Sequence, residues 1–286
     1  MLPLKDTNPT TRIPWVTYAI IAANVIVFLF WQPTFASGTG GDVRQQLFFF
    51  CHAEIPWEVT HRESLVEGGQ TAVRAIDQER IGLEGRALLE ALRDGVNEPG
   101  SRIRVPGAPA IPGCPHKSWW ESVFVAMFLH GGWLHIGGNM LYLWIFGNNV
   151  EDKIGPLFFV LFYFIGGIAA SAAQIATSPD SVVPTLGASG AIAAVLGAYL
   201  VMFPRRRVLT AVFFFLIALI ELPAVVVLGF WFVLQFLSGA TSVTEHITGG
   251  VAYFAHIGGF VLGVLVALLF FPKERRPPAE LYRPLR

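Results

Sequence analysis

Hydrophobic positions in this chain fall into long runs, separated by short polar stretches and, after the first run, by one long polar segment. Crossing the hydrocarbon core of a bilayer takes about 20 apolar residues as α-helix. Six runs meet or approach that length: Trp15–Trp31, 122–147, Pro156–Thr177, 187–203, a crossing within 208–237, and 249–271. The fourth is the shortest, which suits a helix that starts below the membrane surface inside the protein. The fifth region contains Glu221 and Pro223. It predicts a loop or half-inserted segment over 208–219, then one crossing from 222 to 237.

Charge sets the orientation. Arg205, Arg206 and Arg207 follow the fourth run, and Lys273, Arg275 and Arg276 follow the sixth. Cytoplasmic loops are enriched in Lys and Arg, so both ends are predicted to be cytoplasmic. The short loops 178–186 and 238–248 contain neither residue and are predicted to lie outside. Residues 1–14 and 272–286 then form cytoplasmic ends, 15–31 the first span, 32–118 an extracytoplasmic insert, and 119–271 a core of five further spans. Within the insert, Ile81, Leu88, Leu89 and Leu92 share a helical face over 77–96. Residues 98–115, rich in Gly and Pro, read as loop.

Composition agrees with a membrane protein: 53% of residues are hydrophobic and 14% charged, against roughly 25% charged in soluble domains. A formal net charge of zero argues against a nucleic-acid partner. The first run is long for a signal-peptide core, and Gln32-Pro33-Thr34 after it is no cleavage site, so it reads as a retained span. The two cysteines, Cys51 and Cys114, bracket the insert. On the oxidising side they are candidates for a disulfide, whose loop closure chain-entropy arithmetic values at about 4 kcal/mol.

The chemistry concentrates at three places. Gly187-Ala188-Ser189-Gly190 opens the fourth run. Gly187 and Gly190 permit a sharp turn and close backbone approach. The free N–H groups of the helix start favour a developing anion. Serine needs a neighbouring base to become a nucleophile. His256, in an apolar helix where a histidine is costly, is the candidate. Gly259 and Gly263 after it form a G-x-x-x-G pair that lets two helices approach. Because the fourth and sixth runs point the same way, Ser189 and His256 are predicted at similar depth. In the second run His135 and Asn139 are four apart and share a helix face. They are candidates to donate hydrogen bonds to an oxyanion beside the Ser189 N–H. His130 points elsewhere and is assigned a supporting role, bonding a loop or ordering nearby backbone. Zinc is disfavoured: H-E-x-x-H is absent, and no Asp or Glu completes a site around the histidines. No metal and no cofactor is predicted.

With these residues in place the chain resembles the rhomboid family of intramembrane serine proteases. The likeness rests on H-x4-H-x3-N at His130, His135 and Asn139, G-x-S-G around Ser189, and A-H-x-x-G-x-x-x-G from Ala255 to Gly263; Gly147-Asn148-Asn149-Val150-Glu151 adds to it. The resemblance implies an all-α polytopic fold, a six-helix bundle, here with a large insert in the first outer loop. It also implies a Ser–His dyad without an acid. Ser189 is then nucleophile, His256 base and then acid, and His135, Asn139 and the Ser189 N–H the oxyanion hole. The implied substrates are single-span membrane proteins, cut near the outer membrane boundary by an enzyme of the bacterial inner membrane. Two features depart from the pattern. Ala193 stands where some members carry a Tyr that packs on the imidazole, so another group must hold His256. Trp119-Trp120-Glu121 stands where some carry a Trp-Arg pair. The alternatives are a catalytically silent rhomboid-like membrane chaperone and a small-solute transporter. Intact Ser189 and His256 count against the first, and the lack of an internal repeat against the second. Residues 238–246 are the candidate movable cap over the site.

Overall fold

The computed structural model describes residues 1–33, 39–65, 102–103, 111–112, 117–213, 217–244 and 251–271. It is mostly helical. Strand β1 (Leu2–Asp6) leads to α1 (Trp15–Ile26), which a π-helical turn extends to Trp31. Helices α2 (Thr39–His52) and α3 (Pro56–His61) follow, with short strands β2 (Arg102–Ile103) and β3 (Ile111–Pro112) paired to each other. Then come α4 (Trp119–Ala126) and α5 (Trp133–Tyr142), the latter running through a π-helical turn into α6 (Asn148–Ile154). Helices α7 (Pro156–Thr177) and α8 (Ser189–Met202) precede the hairpin β4 (Arg207–Phe213) and β5 (Ile217–Pro223), and α9 (Ala224–Thr244) and α10 (Tyr253–Phe270) end the described chain. The helical expectation for 77–96 lies outside the described residues, as does Cys114; Cys51 is disulfide-bonded.

Helices α7, α9 and α10 are long and apolar enough to cross a membrane; the α1 rod and α8 are shorter apolar helices. Helix α8 is apolar all round and almost wholly buried, as a helix at the centre of a bundle must be. It is wedged between α7 and α10. Lipid tails are as apolar as leucine, so helices gain by close van der Waals contact rather than by leaving water. Small residues supply that contact here. A Cβ at Gly259 would collide with the Gly190 carbonyl oxygen, and one at Gly263 with that of Ala194. These two glycines let α10 lie backbone to backbone on α8. The matched order of the contacts along both helices makes them parallel.

Three expectations are corrected. The second span does not begin at residue 122: α4 is a separate helix and the chain breaks before Trp133. Local bonding explains the break. The Gln32 side chain donates to the His130 carbonyl (2.7 Å) and accepts the His130 N–H (2.8 Å), while the Gly131 N–H donates to His135 Nδ1 (3.1 Å). Backbone groups satisfied this way need no helix ladder. Nor is the fold all-α. Residues predicted as a loop over 208–219 form a hairpin, and β1 pairs antiparallel with β4 to complete a three-stranded sheet, β1-β4-β5. The β-branched and aromatic residues of 208–220 suit strands, and the partner strand comes from the far N-terminus, where no local signal could announce it. Finally, residues 238–244 continue α9 rather than forming a loop. The Thr241 hydroxyl bonds back to the Ser238 carbonyl (2.9 Å).

The sheet sits at the end of α8 opposite Ser189. Asp6 Oδ2 there accepts from the Tyr199 hydroxyl and from Asn149 Nδ2, both at 2.7 Å. Nearby, Glu151 accepts the Val16 and Thr17 N–H groups and the Thr17 hydroxyl, capping α1. At the Ser189 end, α3 lies on the α7–α8 connection. Its Trp57 N–H donates to the Ser181 carbonyl (3.0 Å) and the Thr60 hydroxyl to that of Pro179 (3.0 Å), while the Thr185 N–H donates to the Glu54 carbonyl (2.7 Å).

Candidate active site

Ser189 is the first residue of α8, and His256 lies in the first turn of α10. The parallel packing of these helices brings the two side chains together: Ser189 Oγ is 2.7 Å from His256 Nε2. The residues are far apart in sequence, and glycine contacts between α8 and α10 set their spacing. Ser189 is half-buried and His256 is 8% exposed. The pair therefore sits in a recess rather than on the surface.

The turn into α8 depends on Gly187, whose φ of +120° is a conformation that side chains rarely adopt. Its N–H donates to the Ala126 carbonyl at the end of α4 (2.8 Å), which anchors the serine loop. A Cβ at Gly187 would come 2.8 Å from His135 Nε2 and 3.6 Å from Ser189 Oγ. Gly187 is thus the gap across which His135 faces the serine. The tautomer of His135 follows from its other nitrogen. Because Nδ1 accepts the Gly131 N–H, the neutral ring carries its proton on Nε2. That proton points to the serine side. Ser189, Gly190 and Ala191 add the N–H groups that the first turn of a helix leaves without an intrahelical partner.

Asn139 is 7% exposed, and its Nδ2 donates to the His135 carbonyl (2.9 Å), one turn back on the same helix. The amide has a second hydrogen to offer, and the bond fixes its orientation. The His130 ring is fully buried and edge-on to His135, with centroids 5.1 Å apart. Gln32 orders the backbone there, bonding both the His130 N–H and its carbonyl. Gly190 packs on Ala170 of α7 and Ala255 of α10, and Ala193 is buried against the Gly259 contact.

Sequence reasoning left the group that holds His256 unnamed. In the structure Gln235 Oε1, on α9, lies 2.8 Å from His256 Nδ1, and the Trp231 ring is 5.8 Å from the imidazole. Gln174 Oε1 accepts the Ala255 N–H beside it (3.3 Å). The available signal was the amide itself: Gln174 and Gln235 each sit in an apolar helix, and Gln32 ends one, where a polar side chain needs a reason.

On the Ser189 face a buried polar cluster supports the loop. Lys117 Nζ is 2.5 Å from Glu58 Oε2 and donates to the Phe50 carbonyl (2.9 Å), and Glu58 Oε1 accepts the Leu65 N–H (2.9 Å). Burial pushes the Glu58 carboxyl up and the Lys117 ammonium down, each effect opposed by the partner's charge. Burial also raises Glu54 to about 7, against the pull of Ser171 and Lys117.

A family model described as the Rhomboid domain matches residues 116–273. Rhomboid protein 1, mitochondrial, of Saccharomyces cerevisiae is 32% identical over 151 residues, covering 50% of this chain and 40% of its own length. Rhomboid protease GluP of Bacillus subtilis is 32% identical over 151 residues, covering 52% of this chain and 25% of its own. RHOMBOID-like protein 1 of Arabidopsis thaliana is 28% identical over 155 residues, covering 54% and 35%. The chain thus spans less than half the length of each of these relatives.

Proposed function

The chain belongs to the rhomboid family, and from that premise we propose that this membrane protein is an intramembrane serine endopeptidase with Ser189 as nucleophile and His256 as general base. The observation that carries the reading is the 2.7 Å contact between Ser189 Oγ and His256 Nε2. That distance is within hydrogen-bond reach for proton transfer. In the acylation step His256 Nε2 takes the serine proton as Oγ bonds to the substrate carbonyl carbon. The oxyanion that forms is met by the Nε2–H of His135, the free amide hydrogen of Asn139 and the Ser189 N–H. His256 then returns its proton to the departing amine. Water, deprotonated by the same imidazole, attacks the acyl carbon, and His256 returns that proton to Ser189 Oγ as the acyl group leaves.

The orientation follows from charge. Arg205 and Arg206, with Arg207 beginning β4, close the end of α8 away from Ser189. Placing them in the cytoplasm sets the N-terminal strand there too, since β1 pairs with β4, and directs Ser189 to the outer face of a bacterial inner membrane. The substrates are then single-span membrane proteins that present a peptide bond near the outer boundary of the bilayer. The test is reconstitution of the full chain in liposomes with a panel of single-span model substrates. Cleavage by wild type, lost in Ser189→Ala and in His256→Ala at unchanged melting temperature, supports the reading. A folded wild type that cuts none of the panel favours a catalytically silent rhomboid-like binding protein.

A further inference from the structure

A Ser–His pair without a carboxylate still needs something to hold the imidazole and to choose which nitrogen carries the proton. We propose that Gln235 is the positioning residue that does both: its side-chain carbonyl accepts the His256 Nδ1–H and leaves the Nε2 lone pair to the Ser189 hydroxyl. This rests on the Ser–His reading above. The two contacts, 2.8 Å at Nδ1 and 2.7 Å at Nε2, occupy both nitrogens of one ring. In a neutral imidazole one nitrogen donates and the other accepts, so an acceptor at Nδ1 makes Nε2 the base.

The chemistry of the surroundings explains an amide in the place of an acid. Helices α7, α8, α9 and α10 contain no Asp, Glu, Lys or Arg. Among the described residues, the other titratable side chain facing the site is His135, across Gly187. A carboxylate at this depth would be costly. The amide carbonyl carries no charge, yet its bond to Nδ1–H becomes charge-assisted and strengthens as the ring turns into imidazolium. Trp231, one turn before Gln235 on α9, stacks at a tilt against both the His256 and Phe260 rings. It walls the imidazole on the same helix face. Ala193 leaves room for α10 to approach, and α9 supplies the grip.

The test uses full-length protein in liposomes with a cleaved single-span substrate, comparing wild type, Gln235→Met and Gln235→Glu. Methionine keeps length and volume but removes the acceptor. Losing one buried hydrogen bond of this kind predicts a kcat lower by about 10- to 100-fold, with KM unchanged and the protein folded. Gln235→Glu restores the acceptor and recovers most of kcat. Its acid limb in the kcat/KM profile moves to higher pH, since a carboxylate beside Nδ1 favours imidazolium. Nitrogen-15 NMR of labelled histidine then shows His256 protonated at Nδ1 in wild type and mixed in Gln235→Met. Wild-type kinetics in Gln235→Met, or a loss confined to KM and melting temperature that Glu does not restore, overturns the proposal. Should Gln235→Met fail to fold, an unshifted pH profile in Gln235→Glu does the same. A wild type that cleaves nothing and takes up no fluorophosphonate at Ser189 overturns the Ser–His reading, and this inference with it. A wild type that does both, beside an indistinguishable Gln235→Met, overturns this inference alone.

Discussion

The buried pair Glu58–Lys117 gives a sharp quantitative test of how the segment between α1 and α4 supports the candidate site. Side-chain exposure is 1% for Glu58 and 4% for Lys117, so both charges are out of water. Replacing Lys117 with Met keeps the aliphatic stem and removes the ammonium. Glu58 is left with the Leu65 N–H and the Ser64 hydroxyl. Unpairing a buried charge costs about 3–5 kcal/mol, whereas removing both charges together is often close to neutral. The Phe50 carbonyl also loses its donor, adding about 1 kcal/mol. The prediction is a cycle: Lys117→Met and Glu58→Gln each destabilise, and the double variant is better than their sum by about 2 kcal/mol or more. Thermal unfolding in detergent, followed by tryptophan fluorescence with buried Trp57 in α3 as a reporter, reads the stability. Proteolytic rate reads the consequence, because α3 holds the carbonyls of Pro179 and Ser181 just before the serine loop. Distant, independent sites add to within about 0.5 kcal/mol. Additive behaviour at that level would show that the two charges do not depend on one another, and the bracing role of this segment would fall.

Other expectations are more compact. Asn139→Ala lowers kcat by about 10²-fold if its amide serves the oxyanion; an unchanged kcat in single-turnover assays removes it from the site. Gly263→Ala forces a methyl into the Ala194 carbonyl and destabilises by about 1–3 kcal/mol or more, with activity falling as α10 is pushed off α8; wild-type activity and melting temperature would contradict the packing. Glu54 has a folded-state pKa raised from 4.5 to about 7, so its contribution is fully present below 4.5 and is lost as pH rises to 7. Stability therefore falls across that window by about 3 kcal/mol at 1.36 kcal/mol per unit, and Glu54→Gln flattens this part of the curve. Asp6, raised to about 6 by burial, acts in the same direction from the opposite end of the molecule. A melting temperature that rises between pH 4.5 and 7 would contradict both assignments.

Much of the candidate site was legible because its parts are local. Ser189 between glycines, His256 ahead of Gly259 and Gly263, and His135 four residues before Asn139 are short patterns whose chemistry each residue type announces. Their convergence was also open to inference, since parallel helices with small faces can meet in few ways. What stayed hidden depends on partners far away in sequence. The break before Trp133 is made by Gln32, roughly a hundred residues earlier. The sheet needs β1 from the N-terminus to meet a hairpin after α8. Gln235 reaches His256 only because α9 packs beside α10. Apolar periodicity cannot report any of these. Isolated glutamines in or at the end of apolar helices can report the first and the last, and Gln32, Gln174 and Gln235 are the residues at which an all-apolar reading of those helices fails.

Everything proposed for this site requires that Ser189 be activated by His256, and one labelling experiment reaches that requirement without knowledge of any substrate. Purified full-length protein in detergent is treated with a fluorophosphonate, digested and examined by mass spectrometry. The account predicts one adduct, on Ser189, that forms in wild type and is lost in His256→Ala. A Ser189 that stays unmodified in folded wild type, or reacts equally fast without His256, would contradict it.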